Sequence, residues 1–311
     1  MLQKKLFKRI MILMCCLFII AILYVFPNSK STEEDVDFIR KEDQDIIYLI
    51  DNNDYVSRVN VIIDSKTDIK KAKEMIEYLT IGSTKKDYIR EGFSPIIPKN
   101  TKVLDLSIDS KILKVNFSKE FLNINLENEQ RVIEALVYSL TELKSVDKIT
   151  IFIDGNILEK LPNSKINLPT VLDRSFGINK IYNLNAISSS SKTTIYYVSK
   201  YKDFYYYVPV TKVSNDKREK IEIIIKELSS SSMYQTSLMS YLTANAELLN
   251  YKILDDALIL NFNKQILSDI NTNNILEEVV YSINLSISDN YNVKSVMYMV
   301  DDNIINNYLL N

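Results

Sequence analysis

The chain has 311 residues, a formal net charge of −2 and 46% hydrophobic residues, enough apolar content for real cores and too little basic charge for a nucleic-acid binder. It contains no histidine, so the commonest general base, neutral metal ligand and triad member are absent and the expectation of an enzyme weakens. The only cysteines, Cys15 and Cys16, sit side by side in an apolar N-terminal run, which leaves the folded part neither a disulfide framework nor a thiolate metal site. No catalytic residue, cofactor or metal is expected.

The N-terminus reads as a membrane anchor over residues 1–27. Lys4, Lys5, Lys8 and Arg9 precede an uncharged run from Ile10 to Phe26, and Glu33, Glu34 and Asp35 follow. The positive flank belongs on the cytoplasmic side, with Lys8 and Arg9 snorkelling, so the bulk of the chain is expected outside a single-pass cell membrane. A cleaved signal peptide and lipidation at Cys15 or Cys16 are the alternatives. No small-x-small pattern stands near Phe26, and large Met14 precedes Cys15. Residues 28–45 are polar without a sustained period and read as a tether.

The first domain is expected over residues 46–187. Ile46–Ile50 and Tyr55–Ile63 flank Asp51-Asn52-Asn53-Asp54 and predict a hairpin. Asp68–Thr80 carries Ile69, Ala72, Ile76 and Leu79 at helical spacing with Gly82 beyond. A loop with Gly92, Pro95 and Pro98 leads to strands Lys102–Ile108 and Lys111–Phe117, joined tightly at Asp109-Ser110. Helix Asn128–Leu143 and strand Ile149–Ile153 complete the unit, closing on Asp154-Gly155. From 156 to 192 the prolines, Asp173-Arg174 and the serine run Ser188–Ser191 suggest an ordered return segment and then a flexible joint.

The second domain, 192–311, repeats that order. Strands Thr194–Val198 and Phe204–Val210, helix Asp216–Ser229, strands Glu247–Ile253 and Ala257–Phe262, helix Asn273–Ile287 and strand Lys294–Val300 are predicted. Lys111–Gly155 is echoed by Leu258–Asp302: both have a strand ending in Asn-Phe and a helix carrying Glu-x-x-Val-Tyr-Ser, Glu134 to Ser139 and Glu277 to Ser282. The fold class is therefore α+β: two similar domains in tandem, each a mixed or antiparallel sheet with two helices on one face.

The first repeat resembles the GerM domain of bacterial sporulation and spore-germination proteins. The resemblance rests on Leu79-Thr80-Ile81-Gly82, Pro98-Lys99-Asn100-Thr101, Val115-Asn116-Phe117-Ser118 with Phe121, the closing Asp154-Gly155, and Leu168-Pro169 with Ser175–Asn179. The second repeat matches less well, with Asp302 where Gly155 stands. The resemblance implies a non-enzymatic, membrane-attached extracytoplasmic protein that assembles or anchors a complex between two membranes during sporulation. Its implied partners are other sporulation or envelope proteins, with self-association into a ring.

Tyr196, Tyr201, Tyr205 and Tyr207 stand out as a partner or glycan surface, because alternation along a strand sends some rings to the wet face. Peptidoglycan is the alternative ligand, although tyrosines are also simply good strand formers. Asp255-Asp256 and Asp301-Asp302 read as turn chemistry, Asp64 and Asp68 as helix-start residues, and Ser139 and Ser282 as small residues for close packing. Glu134 and Glu277 read as solvated. Asp173-Arg174 is the charged pair to watch in the return segment, as an ion pair tying it down.

Overall fold

A computed structural model describes residues 44–184, 190–230, 237–269 and 273–310. The expected anchor with Lys8 and Arg9, and all but the end of the tether, lie outside the described residues, as do Ser188 and Ser189 of the expected flexible joint. Among the described residues no helix is long and apolar enough to cross a membrane.

The first repeat opens with strands β1 (Asp45–Asp51) and β2 (Val56–Val61), and the turn between them is built by Asp51. Its Oδ1 accepts from the backbone N–H of Asn53 (2.8 Å) and Tyr55 (2.9 Å), a local bond that competes well with continued strand. Helix α1 (Asp68–Leu79) buries Ala72, Met75, Ile76 and Leu79. Ile69, expected on that stripe, is 44% exposed at the first turn, where the helix has not yet reached the sheet. The short β3 (Phe93–Ser94) returns to pair with β1.

A second sheet then forms from β4 (Val103–Asp109), β5 (Ile112–Phe117), β6 (Lys148–Ile153) and β7 (Asn156–Ile157), in that order. Helix α2 (Glu129–Leu140) carries the chain from β5 to the parallel β6. One expectation is corrected here. Each repeat holds a three-stranded and a four-stranded sheet rather than one, and the four-stranded one contains a parallel βαβ unit.

The second repeat follows the same plan with β9 (Ser191–Tyr201), β10 (Phe204–Ser214) and α3 (Lys220–Ser229). Strands β11 (Leu248–Leu254) and β12 (Ala257–Phe262) come next, then the small hairpin of β13 (Leu267–Asp269) and β14 (Asn274–Ile275). Helix α4 (Glu277–Asn290) leads to β15 (Ser295–Val300) and β16 (Asn303–Leu309), giving a sheet ordered β11-β12-β15-β16. The paired aspartates are turn residues, as expected. Asp255, Asp301 and Asp302 adopt φ of 52°, 44° and 67°, so Asp302 takes the left-handed position that Gly155 (φ 84°) fills in the first copy.

The return segment joins the two repeats. Leu172 exchanges backbone hydrogen bonds with Ile149 of β6, both 2.8 Å, and residues 181–183 become strand β8 (Ile181–Asn183), which pairs in parallel with β10 of the second repeat. Between these points Asn179 sits at φ 46°, a conformation Asn tolerates, and its side chain acts as a peptide group set between two sheet edges. Its Oδ1 accepts from Val56 N–H of β2 (2.9 Å), and its Nδ2 donates to the carbonyls of Val56 (2.8 Å) and Pro209 of β10 (2.7 Å). Pro209 offers no N–H at that edge, so one amide completes the seam. The described residues form one compact unit, and the buried core runs through both repeats without a break.

Two substitutions test this seam. Asn179→Ala leaves three backbone groups without partners and should cost about 2–4 kcal/mol in urea denaturation, in one transition that includes both repeats. Gly92, at φ 95°, lies where an added Cβ would stand 2.6 Å from the Tyr201 ring, whereas an added Cβ on Gly155 meets nothing within 4 Å. Gly92→Ala should therefore cost about 2–3 kcal/mol and Gly155→Ala only about 1 kcal/mol, measured the same way.

Candidate functional site

The two repeats meet like against like. In the first, Ser139 Oγ of α2 accepts from the backbone N–H of Tyr48 in β1 (2.8 Å); in the second, Ser286 Oγ of α4 accepts from that of Tyr196 in β9 (2.9 Å). Three residues after each serine comes an acid, Glu142 and Asp289. The Tyr48 hydroxyl donates to Glu142 Oε1 (3.1 Å), the Tyr196 hydroxyl to Asp289 Oδ2 (2.9 Å), and the two hydroxyl oxygens lie 3.1 Å apart.

These pairs correct the alignment of the copies. The Glu-x-x-Val-Tyr-Ser match sets Ser139 against Ser282, but the residue doing Ser139's work is Ser286, one helical turn on. A shift of four residues returns to nearly the same face, so apolar spacing alone does not distinguish the two registers. Counted back from the following strand, Ser139 and Ser286 stand equally far from Lys148 and Ser295. Glu134 is likewise not solvated: it is buried, accepts from Asn179 N–H (2.9 Å) and pairs with Lys180. Ser139 is more than a small residue, since its hydroxyl satisfies a strand N–H.

Arg174 stands between the two acids. Asp173 caps the 3-10 turn Arg174–Phe176 by accepting from Ser175 N–H (2.9 Å), which fixes where Arg174 leaves the backbone. Its guanidinium donates to Glu142 (2.5 Å), to Asp289, to Thr141 Oγ1 (3.0 Å) and to the Tyr138 carbonyl (3.3 Å), and lies 5.0 Å from the Tyr138 ring centre. The ion pair expected to tie the return segment down is thus made by Arg174 with both repeats, not with its neighbour Asp173. Burial alone would push the Glu142 carboxyl up, but Arg174 and Arg58 outweigh it and hold it below the usual range. Burial opposes the charge on Arg174, yet Asp289 and Glu142 raise it well above its ordinary value. Burial, with the nearby carboxylates, pushes the Tyr48 and Tyr196 hydroxyls up, so both stay protonated donors.

Beside this clasp opens a cleft of about 460 Å³, bounded by β1 and β2, by residues 141–147 after α2, by α4 and by the end of β16. Arg58 and Lys144 line it from the first repeat, and Tyr281 and Ser288 from the second. Arg58, Glu142 and Asp289 have no marker in any short motif. Only the equal serine-to-acid spacing, read from the following strands, could have revealed the acids.

The four tyrosines expected as a surface do not form one. Tyr196 and Tyr207 are 1% and 2% exposed: the first is held in the clasp and the second packs 6.3 Å from the Tyr281 ring. Tyr201 is half-buried against Gly92 and Phe204, and Tyr205 half-buried under Lys200. Both faces of the β9–β10 hairpin are covered, which the alternation argument did not allow for. Among the described residues no group of three or more Cys, Asp or Glu side chains is placed to hold a metal.

The comparisons with known proteins agree with this duplicated plan. The family described as Germane, sporulation and spore germination, matches residues 46–159 and again 194–304. The spore germination protein GerM of Bacillus subtilis (strain 168) is 30% identical over 285 residues, which span 88% of this chain and 77% of that protein. The solved tandem GerMN domains of the sporulation protein GerM from Bacillus subtilis superpose with a TM-score of 0.77 at 29% identity, over 84% of this chain and 91% of theirs. With two matched copies covering most of its length, the chain belongs to the Germane family of sporulation and spore germination proteins.

Proposed function

We propose that the chain is a non-enzymatic scaffold, held to the cell membrane by its N-terminal segment, that works outside the cytoplasm in sporulation or spore germination by binding other envelope proteins. The observation that carries this reading is the commitment of its buried acids to architecture. Glu142 and Asp289 hold Arg174, Glu134 holds Lys180 and Asn179, Glu129 accepts from the backbone of Ser164 (2.9 Å), and Asp51 builds a turn. Acid–base catalysis needs a group free to exchange its proton with a substrate, and these carboxylates are occupied in joining parts of the fold. A compact tandem unit with edge strands β4, β11 and β16 suits partner binding or assembly with further copies.

Proximity crosslinking from the full chain in sporulating cells should recover envelope proteins made during sporulation, and deletion should lower spore yield or germination. Recovery of none, with both yields unchanged, would sink the reading.

The scaffold depends on the clasp, which a charge-removing substitution probes. Arg174→Leu leaves two buried carboxylates without their cation and should cost about 3–5 kcal/mol at pH 7. Glu142 is depressed in the folded protein, so its contribution is present above the unfolded carboxylate pKa of about 4.3 and is lost as pH falls through the lower folded value. Without Arg174, burial pushes the Glu142 carboxyl up instead. Urea titrations should therefore show the gap between wild type and variant narrowing below about pH 4.3.

A further inference from the structure

The cleft beside Arg174 has more hydrogen-bond donors than its own residues use. Its acids are engaged: Glu142 and Asp289 hold Arg174, and Asp147 pairs with Lys111 at 3.2 Å. Its other two cations, Arg58 and Lys144, make no side-chain hydrogen bond or ion pair with a described residue, although Arg58 lies near enough to Glu142 to help lower its carboxyl. The hydroxyls of Tyr281 and Ser288 are also without partners among the described residues. What remains to be satisfied is a set of donors, and its complement is an acceptor carrying negative charge.

The rest of the wall is apolar, with Ile46, Leu143, Val280 and Leu309. A volume of about 460 Å³ exceeds what a lone carboxylate fills and lies within the usual range of ligand sites. An acid with apolar neighbours fits both features. Leu309 belongs to β16, an edge strand of its sheet, so an extended chain can run alongside it with backbone hydrogen bonds. A sugar would need open ring faces, and here Tyr48 and Tyr196 are buried while Tyr308 is turned edge-on to Tyr298 at 5.6 Å.

We infer that the cleft is a docking site for an acidic side chain of a partner polypeptide, its carboxylate received by Arg58 and Lys144 and its apolar flanks by Ile46, Val280 and Leu309. The inference rests on the partner-binding reading above and names the chemistry of the partner segment.

The test titrates the full chain with acetyl-Leu-Glu-Leu-amide, acetyl-Leu-Gln-Leu-amide and N-acetylmuramic acid, followed by saturation-transfer NMR. The glutamate peptide should bind and the glutamine peptide should bind roughly tenfold more weakly or not at all. Arg58→Gln should weaken the glutamate peptide by roughly tenfold or more. Arg58 also helps hold Glu142 ionised, so a second variant is needed. Ser288→Glu places a negative charge on an exposed helix position of the cleft and should abolish binding without changing the urea midpoint. Equal binding of both peptides, undiminished binding to Ser288→Glu, no peptide binding, or binding of N-acetylmuramic acid alone would each overturn the inference. Any of these, with sporulation proteins still crosslinked to the chain, would remove the cleft and leave the scaffold reading standing.

Discussion

The fold depends on one cation shared by two carboxylates. Duplication places an acid at the same position of each repeat, three residues after the serine that receives a strand N–H, and the packing of like against like brings Glu142 and Asp289 toward one point. Two carboxylates so placed repel each other. Arg174, supplied by the return segment, bonds to both, and Arg58 helps to lower Glu142. The clasp therefore resolves a conflict that the duplication itself creates. It also explains why the segment after β7 is ordered: its capped 3-10 turn carries a charge that both repeats require.

A second constraint is the satisfaction of sheet edges. Strand β9 ends its sheet, and at three alternate positions its outward groups find partners: Thr194 with Asn290, Tyr196 with Ser286, and Val198 with Met239. In the first repeat Ser139 does for Tyr48 what β3 does for Ile50 and Asp51. At the seam, Asn179 supplies the missing peptide group between β2 and β10. Helices and single side chains thus close edges that would otherwise invite pairing with another chain. Strands β4, β7, β11 and β16 remain at the edges of the two four-stranded sheets.

Local elements were legible because their signals are local. The Asp51 turn, the apolar stripe of α1 and the alternation in β5 and β6 each follow from residues within a few positions, and the structure places them within a residue or two. Strand β16 was missed because Asn303–Leu309 does not alternate between apolar and polar residues, is mostly exposed, and is held by pairing with β15 rather than by its own pattern. The tyrosines of β9 and β10 were misread because alternation identifies one buried face, and only the tertiary arrangement shows that the second is buried too. Glu134 looked solvated because its partners, Asn179 and Lys180, lie over forty residues away.

What belongs to the seam could not be read from either copy alone. Arg174, Asn179 and Lys180 come from the return segment, Glu142 and Arg58 from the first repeat, and Asp289 and Tyr196 from the second, so no single motif contains the clasp. The same holds for the cleft, lined by Arg58 and Lys144 from one repeat and by Tyr281 and Ser288 from the other. A property built this way requires both domains in their fixed orientation, and a lone domain would present neither the paired acids nor the closed seam. The covalent tandem is therefore a condition for the site, and the inequality of the two copies is what lets one seam hold a charge cluster that two identical halves could not complete.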